Sequence, residues 1–154
     1  MATTFSLSGT LRVVPRLTDT LNLTDVIDTA TVNLSFALAD GTGANQANTY
    51  WKDVVTVAAS GSQTITLASL PLNAFGGTGT LNLAATKVLV ARNRSTTATV
   101  ALAMNTHVTA TLGPEGTVYA TKTDATGWAA TSITLTNAGG TAADIELYLV
   151  GNKA

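Results

Sequence analysis

Short apolar/polar alternations, closely spaced turn signals and the lack of any helix-length amphipathic stretch predict an all-β protein. The expected form is a single-domain antiparallel β-sandwich, jelly-roll or Ig-like, of about ten short strands. From Thr31 to Ala39, Val32, Leu34, Phe36 and Leu38 alternate with Asn33, Ser35 and Ala37. A period of two puts one side-chain set inward and the other into water. Gly, Asn and Asp clusters interrupt such runs roughly every eight to twelve residues, the spacing of sandwich and barrel strands.

The elements follow in order. Thr3 to Val14 reads as a long first strand with Phe5, Leu7, Leu11 and Val13 on one face, Gly9 marking a bulge or close approach and Pro15 ending it. Residues 1–14 thus form an extended N-terminal strand on a domain spanning 1–154. Thr20 to Ile27 is the second strand, Asp28-Thr29 a turn, and Thr31 to Ala39 the third. Asp40 to Thr49 is a polar loop. Tyr50 to Ala58 and Gln63 to Leu67 are strands around a turn at Ser60-Gly61-Ser62. Leu70 to Phe75 is apolar without period and reads as a helical turn or buried crossover, followed by a Gly-rich connection and an edge strand over Thr80 to Ala84.

Thr86 to Ala91 and Thr97 to Met104 read as a hairpin around Arg92-Asn93-Arg94-Ser95, with Val88 and Val90 meeting Val100, Leu102 and Met104. His107 to Leu112 and Thr117 to Lys122 flank a Gly113-Pro114-Glu115-Gly116 turn. Asp124 to Gly127 turns into Trp128. Ser132 to Thr136 and Ala142 to Val150 read as a last hairpin around Asn137 to Gly140. The stretch Ala91 to Leu102 echoes Leu135 to Leu147 with one residue inserted; shared turn chemistry explains this more simply than duplication.

The chain has 154 residues, enough for one domain with a real core, and is 45% hydrophobic, which argues against disorder. Charged residues are only 11%, against roughly 25% in an average soluble domain. Thr, Ser, Asn and Ala must therefore cover the surface, and small uncharged β-formers suit packing against other subunits. The plainer reading is that exposed strand faces favour Thr. Net charge is −1 with no dominant basic patch, so no electrostatic footprint for nucleic acid is present. The absence of cysteine excludes disulfides, thiol catalysis and Cys-ligated metal. Met1 to Phe5 lacks the basic start and apolar core of a signal peptide, and no run approaches the roughly 18 apolar residues of a membrane-spanning helix. Synthesis in the cytoplasm and no membrane partner are expected. The start at Met1 and end at Ala154 read as those of a whole chain, against an adhesion domain cut from a larger protein.

Reactive groups are few. The one histidine, His107, lies in a strand-like run with no nucleophile elbow near it, so an exposed or interfacial role is expected rather than catalysis. The carboxylates are sparse and lack an aromatic cleft context. Asp19, Asp25 and Asp28 match no EF-hand spacing and read as turn caps, as does Asp40-Gly41-Thr42-Gly43. No enzyme, cofactor or metal site is expected. The candidates for interface or ligand contact are Tyr50, Trp51, Arg92, Arg94 and Trp128. Either Trp fits a sugar-stacking platform, but a core or interface anchor is the commoner role. Lys52, Lys87 and Lys122 read as guards on strand edges, and the N-terminal strand and the Asp40 to Thr49 loop as the segments that reach other subunits.

A resemblance enters with the C-terminal half. Lys87 to Asn93, Leu112 to Tyr119, Asp124 to Trp128, Ile133 to Gly140 and the closing Tyr148-Leu149-Val150-Gly151 resemble small virion proteins of tailed bacteriophages. In that family a strand ending in "RN" leads to a "PGG"-type turn, an "ATGW" turn, a "TNSG"-type hairpin and an apolar last strand. The similarity covers roughly residues 86 to 151, and the turn here is Gly-Pro-Glu-Gly instead of Pro-Gly-Gly. The resemblance implies a β-sandwich structural protein of the virion, of the capsid decoration (cement) type. Its expected partners are itself, as a dimer or trimer, and the major capsid protein, on the capsid surface. A tail or connector component and a carbohydrate- or receptor-binding module are the alternatives.

Overall fold

The computed structural model describes residues 5–13, 16–20, 25–29, 32–72 and 79–154. Its strands are β1 (Leu7–Val13), β2 (Arg16–Thr20), β3 (Asp25–Thr29), β4 (Val32–Asp40), β5 (Gln46–Ala47), β6 (Thr49–Val57), β7 (Ser62–Thr66), β8 (Leu70–Pro71), β9 (Thr80–Leu81), β10 (Leu83–Asn93), β11 (Val100–Met104), β12 (Val108–Leu112), β13 (Thr117–Thr121), β14 (Ser132–Asn137) and β15 (Ala143–Lys153). The expected all-β sandwich is what forms.

Two four-stranded sheets make the body. The front sheet runs β13-β10-β15-β6 and the back sheet β12-β11-β14-β7. The chain travels out through β6, β7, β10 and β11, then returns through β12 to β15. Each returning strand pairs antiparallel with an outgoing one: β12 with β11, β13 with β10, β14 with β7, β15 with β6. Further pairs β10–β15 and β11–β14 complete each sheet. One long hairpin wrapped over two sheets is the jelly-roll arrangement. Between the sheets lie Leu89, Ala91, Ile145, Leu147 and Leu149 of the front, facing Val100, Leu102, Met104, Ile133 and Leu135 of the back.

β1 and β4 pair over seven rungs, Leu7↔Leu38 to Val13↔Val32, and β2 pairs with β3 beyond them. β1 and β4 therefore form an antiparallel ribbon, with β5 beside β4. Its root lies on the outer face of the front sheet, where Leu38, Ala47, Val88 and Val150 form a second buried cluster with Phe5, Leu7, Phe36 and Val90 against it. Full burial of one such Leu or Val is worth about 1.5–3 kcal/mol. The expected close approach at Gly9 is met by the Phe36 ring, whose Cε1 stands 2.3 Å from where a Cβ would sit.

Several expectations are corrected. The second strand expected over Thr20 to Ile27 is instead two, β2 and β3, and Asp28 and Thr29 lie within β3. Residues 21–24 between them, with Leu21 and Leu23, and Pro15 fall outside the described residues, as do residues 73–78. Neither expected C-terminal hairpin forms. β10 and β11 lie in different sheets, and so do β14 and β15. Val88 and Val90 point outward beneath the ribbon, while Leu89 and Ala91 face Val100 and Leu102. Lys87 guards no edge, since β10 is central and Lys87 is fully buried.

The echo between Ala91–Leu102 and Leu135–Leu147 marks two equivalent corners where the chain changes sheet. Buried Asn93 ends β10, and its Nδ2 donates to the carbonyls of Ala98 (2.7 Å), Leu112 (3.2 Å) and Gly113 (2.9 Å) while its Oδ1 accepts from Ser95 N (3.0 Å). Buried Asn137 ends β14, and its Nδ2 donates to Thr141 (2.8 Å), Ala58 (3.2 Å) and Val57 (3.4 Å) while its Oδ1 accepts from Gly139 N (3.0 Å). The neighbouring turns match as well: Gly116 N bonds Gly113 O and Gly61 N bonds Ala58 O, with Glu115 and Ser60 at φ 56 and 52. Each asparagine thus ties its own crossover to the turn that ends an edge-strand pair. A pseudo-two-fold follows, mapping β10–β13 onto β14, β15, β6 and β7.

Removing either amide strands several buried carbonyls. Asn93→Ala and Asn137→Ala are each expected to cost about 2–4 kcal/mol in urea unfolding. The two corners share no partner, so the double variant should be additive within about 0.5 kcal/mol.

Candidate functional site

The outer face of the front sheet carries the most differentiated surface among the described residues. Its floor comes from alternate positions of the four strands. At one end Val88, Val90, Tyr148 and Val150 join Phe5, Ser6, Leu7 and Phe36 of the ribbon to line an apolar groove of about 620 Å³. Two ring pairs bridge ribbon and sheet: Phe5 with Tyr50 at 6.4 Å and Phe36 with Tyr119 at 5.7 Å between centroids. Tyr50 and Tyr119 remain 57% and 38% exposed, so the ribbon roofs the groove incompletely.

The other end of this face is charged. Glu146 accepts from Tyr148 Oη at 2.6 Å and pairs with Lys52 Nζ at 3.4 Å. The Tyr148 hydrogen bond, then Lys52, holds the Glu146 carboxyl below the usual range. The Lys52 ammonium also sits 4.7 Å from the Tyr148 ring centre, a cation–π contact. Asp144 accepts from Thr56 Oγ1 at 2.6 Å. Arg92 and Arg94 are exposed beside this network; Arg92 stands opposite Glu146 in the β10–β15 register, and the Arg94 charge adds to the lowering of the Glu146 carboxyl.

A buried polar junction closes the groove at its far end. β10 bulges at Lys87, which has no register partner on β15. The Lys87 ammonium donates to Gly43 O, and Asn152 Nδ2 donates to Thr42 O at 3.2 Å. Burial pushes the Lys87 amine down, with Asp124 opposing in part. Asp124 caps the adjoining turn by accepting from Gly127 N at 2.7 Å and Thr126 N at 3.1 Å, and pairs with Lys122 at 3.5 Å. The Gly127 bond is the main reason its carboxyl lies below the usual range. Asn45 N bonds Thr123 O, so this turn and the 41–46 loop are one unit. Gly151 lets β15 pass: a Cβ there would lie 1.9 Å from Ala85 O.

The five candidate residues separate. Tyr50, Arg92 and Arg94 share the outer front face. Trp51 points inward, 4% exposed, with its indole Nε1 donating to Pro71 O at 2.9 Å. Trp128 is half-buried against the main core, its backbone bridged to Thr86. Both indoles are packed into the body. His107 is exposed in the turn after β11. The ribbon aromatics and Tyr119 were missed by sequence reasoning; the signal available was Phe36, alternating on the face opposite polar Ser35. The outer back face differs again, with Ser62, Thr64, Thr109, Thr111, Thr134 and Thr136 around Ala101 and Ala103 and no charge.

No group of three or more His, Asp or Glu side chains converges among the described residues. No protein-family model matches the chain, and no curated protein or solved structure matches it at a significant level.

The lowered Lys87 value sets a sign. The unfolded chain holds that proton more tightly, so stability rises with pH from the lowered value up to about 10.4. Lys87→Met should remove that rise, read as the urea midpoint from pH 7 to 10. Asp124 works at the other extreme: its stabilisation is present above about pH 4 and is lost below as the carboxyl protonates. Asp124→Ala should flatten the acid limb of the same curve.

Proposed function

We propose that this chain is a non-enzymatic structural subunit of a phage particle, set on the capsid surface as a decoration protein that stabilises the shell through subunit contacts. The observation that carries this reading is the ribbon. A jelly roll needs no such extension to close its core, yet β1 and β4 pair outside both body sheets and, among the described residues, β2 and β3 pair only with each other. A lone two-stranded hairpin is marginal in water, so a strip of this kind acquires its stability from a surface. The resemblance of residues 86 to 151 to tailed-phage virion proteins supports the same reading, as does a surface with few charges. Many weak contacts repeated over a shell would add by avidity. Jelly rolls also serve lectins, and this part of the support is analogy of fold.

The receptor- or sugar-binding reading has one observation in its favour, the exposed Tyr50 at the groove rim. Against it, the groove offers rings and aliphatic chains but few polar groups to orient a sugar. A tail or connector position would use the same features.

The test is co-sedimentation of the full chain with empty shells of the major capsid protein. Saturable binding at a fixed ratio, with shells that resist heat better, is the expected result. Shells that leave the protein in the supernatant would overturn the decoration role.

A further inference from the structure

We infer that β7, one edge of the back sheet, pairs antiparallel with β7 of a second copy of this chain about a two-fold axis at Thr64. The inference goes beyond the reading above, since it needs no shell.

The edge is open and half of its backbone groups face outward. β7 ends the back sheet, and no strand among the described residues lies beyond it. Asn137 N donates to Gly61 O and Leu67 N to Thr131 O, both at 2.9 Å. In the β7–β14 register, Gln63 and Ile65 therefore turn their main-chain groups to β14, and Ser62, Thr64 and Thr66 turn theirs away from it. All three of the latter residues are exposed.

Exposed edges normally carry a charge, a proline or a bulge that blocks pairing. The neighbouring edge, β6 of the front sheet, is protected in this way. It carries Lys52 and Asp53, and Asp53 Oδ1 takes the N–H of Val54 at 2.8 Å. β7 reads Ser-Gln-Thr-Ile-Thr, with no charge, no proline and an unbroken register.

The occupant follows from the order of those residues, which complements itself. A two-fold at Thr64 sets Ser62 of one copy opposite Thr66 of the other, Gln63 opposite Ile65, and Thr64 opposite Thr64. On the outer face hydroxyls then meet hydroxyls, extending the Ser62–Thr136 and Thr64–Thr134 contacts at 3.3 and 3.4 Å across the axis. Cross-strand Thr–Thr pairs are favourable, and no like charges oppose one another. On the inner side Gln63 of one copy covers half-buried Ile65 of the other. That contact lies at a cleft of about 510 Å³ between β6 and β7, which Trp51 and Val55 also line. The opposite edge of the sheet, β12, is uncharged too. Pairing β7 with β12 would propagate without closing, whereas β7 against itself closes at two copies.

Cysteine trapping tests this on the full chain, which has no cysteine of its own. A hydrogen-bonded antiparallel pair sets its Cα atoms about 5.5 Å apart, within reach of a disulfide. Thr64→Cys should therefore oxidise to a covalent dimer about tenfold faster than Thr111→Cys on β12. Light scattering of the cysteine-free chain should give the mass of a dimer at about 100 μM. Thr64→Lys and Thr64→Asp should each weaken association about tenfold by setting like charges opposite one another. Mixing the two variants should restore it, which misfolded chains would not do. A monomer at that concentration, equal trapping at both edges, or a dimer indifferent to both charged variants overturns the inference. Shell co-sedimentation of the same samples separates the two claims. A dimer that leaves shells alone supports this inference and sinks the decoration role; a monomer that binds shells does the reverse.

Discussion

Two buried asparagine side chains make the rest of the molecule possible. A jelly roll must send the chain from one sheet to the other at corners that bury backbone carbonyls away from any ladder partner. At each corner a primary amide shares its two N–H donors among three carbonyls and offers its oxygen to one amide two residues on. Few side chains can do this: a carboxylate has no donor, a hydroxyl has one, and a glutamine is longer by a methylene. With both corners tied, β10 and β15 lie side by side at the centre of the front sheet, and β11 and β14 at the centre of the back. The hydrophobic layer between them then follows from alternation alone.

The outer front face is a consequence of that arrangement. β10 is buried on both faces along Val88, Leu89 and Ala91, because the ribbon covers what the core does not. The bulge at Lys87 lets a lysine enter the buried middle of this strand and reach the 41–46 loop, which carries the chain from β4 toward β6. A single register irregularity therefore links the sandwich, the loop and the root of the ribbon. The contrast with the outer back face is physical too. There, hydroxyl and methyl groups repeat across four strands, with Thr64 and Thr134 at 3.4 Å and Ser62 and Thr136 at 3.3 Å. All the asymmetry of charge and apolar area lies on the front.

How much of this the sequence disclosed depends on the local signal. β4 and β6 were legible because each has one wet and one dry face, and period two reads such strands directly. The class of fold followed from many such runs. The pairing of β10 and β14 was not legible. Asn93 and Asn137 sit in turn-like sequence, and turn chemistry alone makes a hairpin the natural expectation. What distinguishes a crossover is the burial of the asparagine, and that depends on loops tens of residues away. Val88 to Ala91 is apolar throughout, so period gave no face to choose. Lys87 looked like an edge guard because a strand lysine usually is one. Of the candidate site, Tyr50, Arg92 and Arg94 were named from composition and loop position, whereas the groove that joins them needed the ribbon's path.

Native-state hydrogen exchange on the full chain tests the central claim most directly. If the corners hold the sheets together, the amides of Asn93, Ser95, Asn137 and Gly139 should open in the same cooperative step as those of Leu89 and Leu147, with the same free energy. Corner amides that exchange rapidly while the central strands stay protected would contradict the account, and would reduce the two asparagines to decoration on a sandwich held by its core alone.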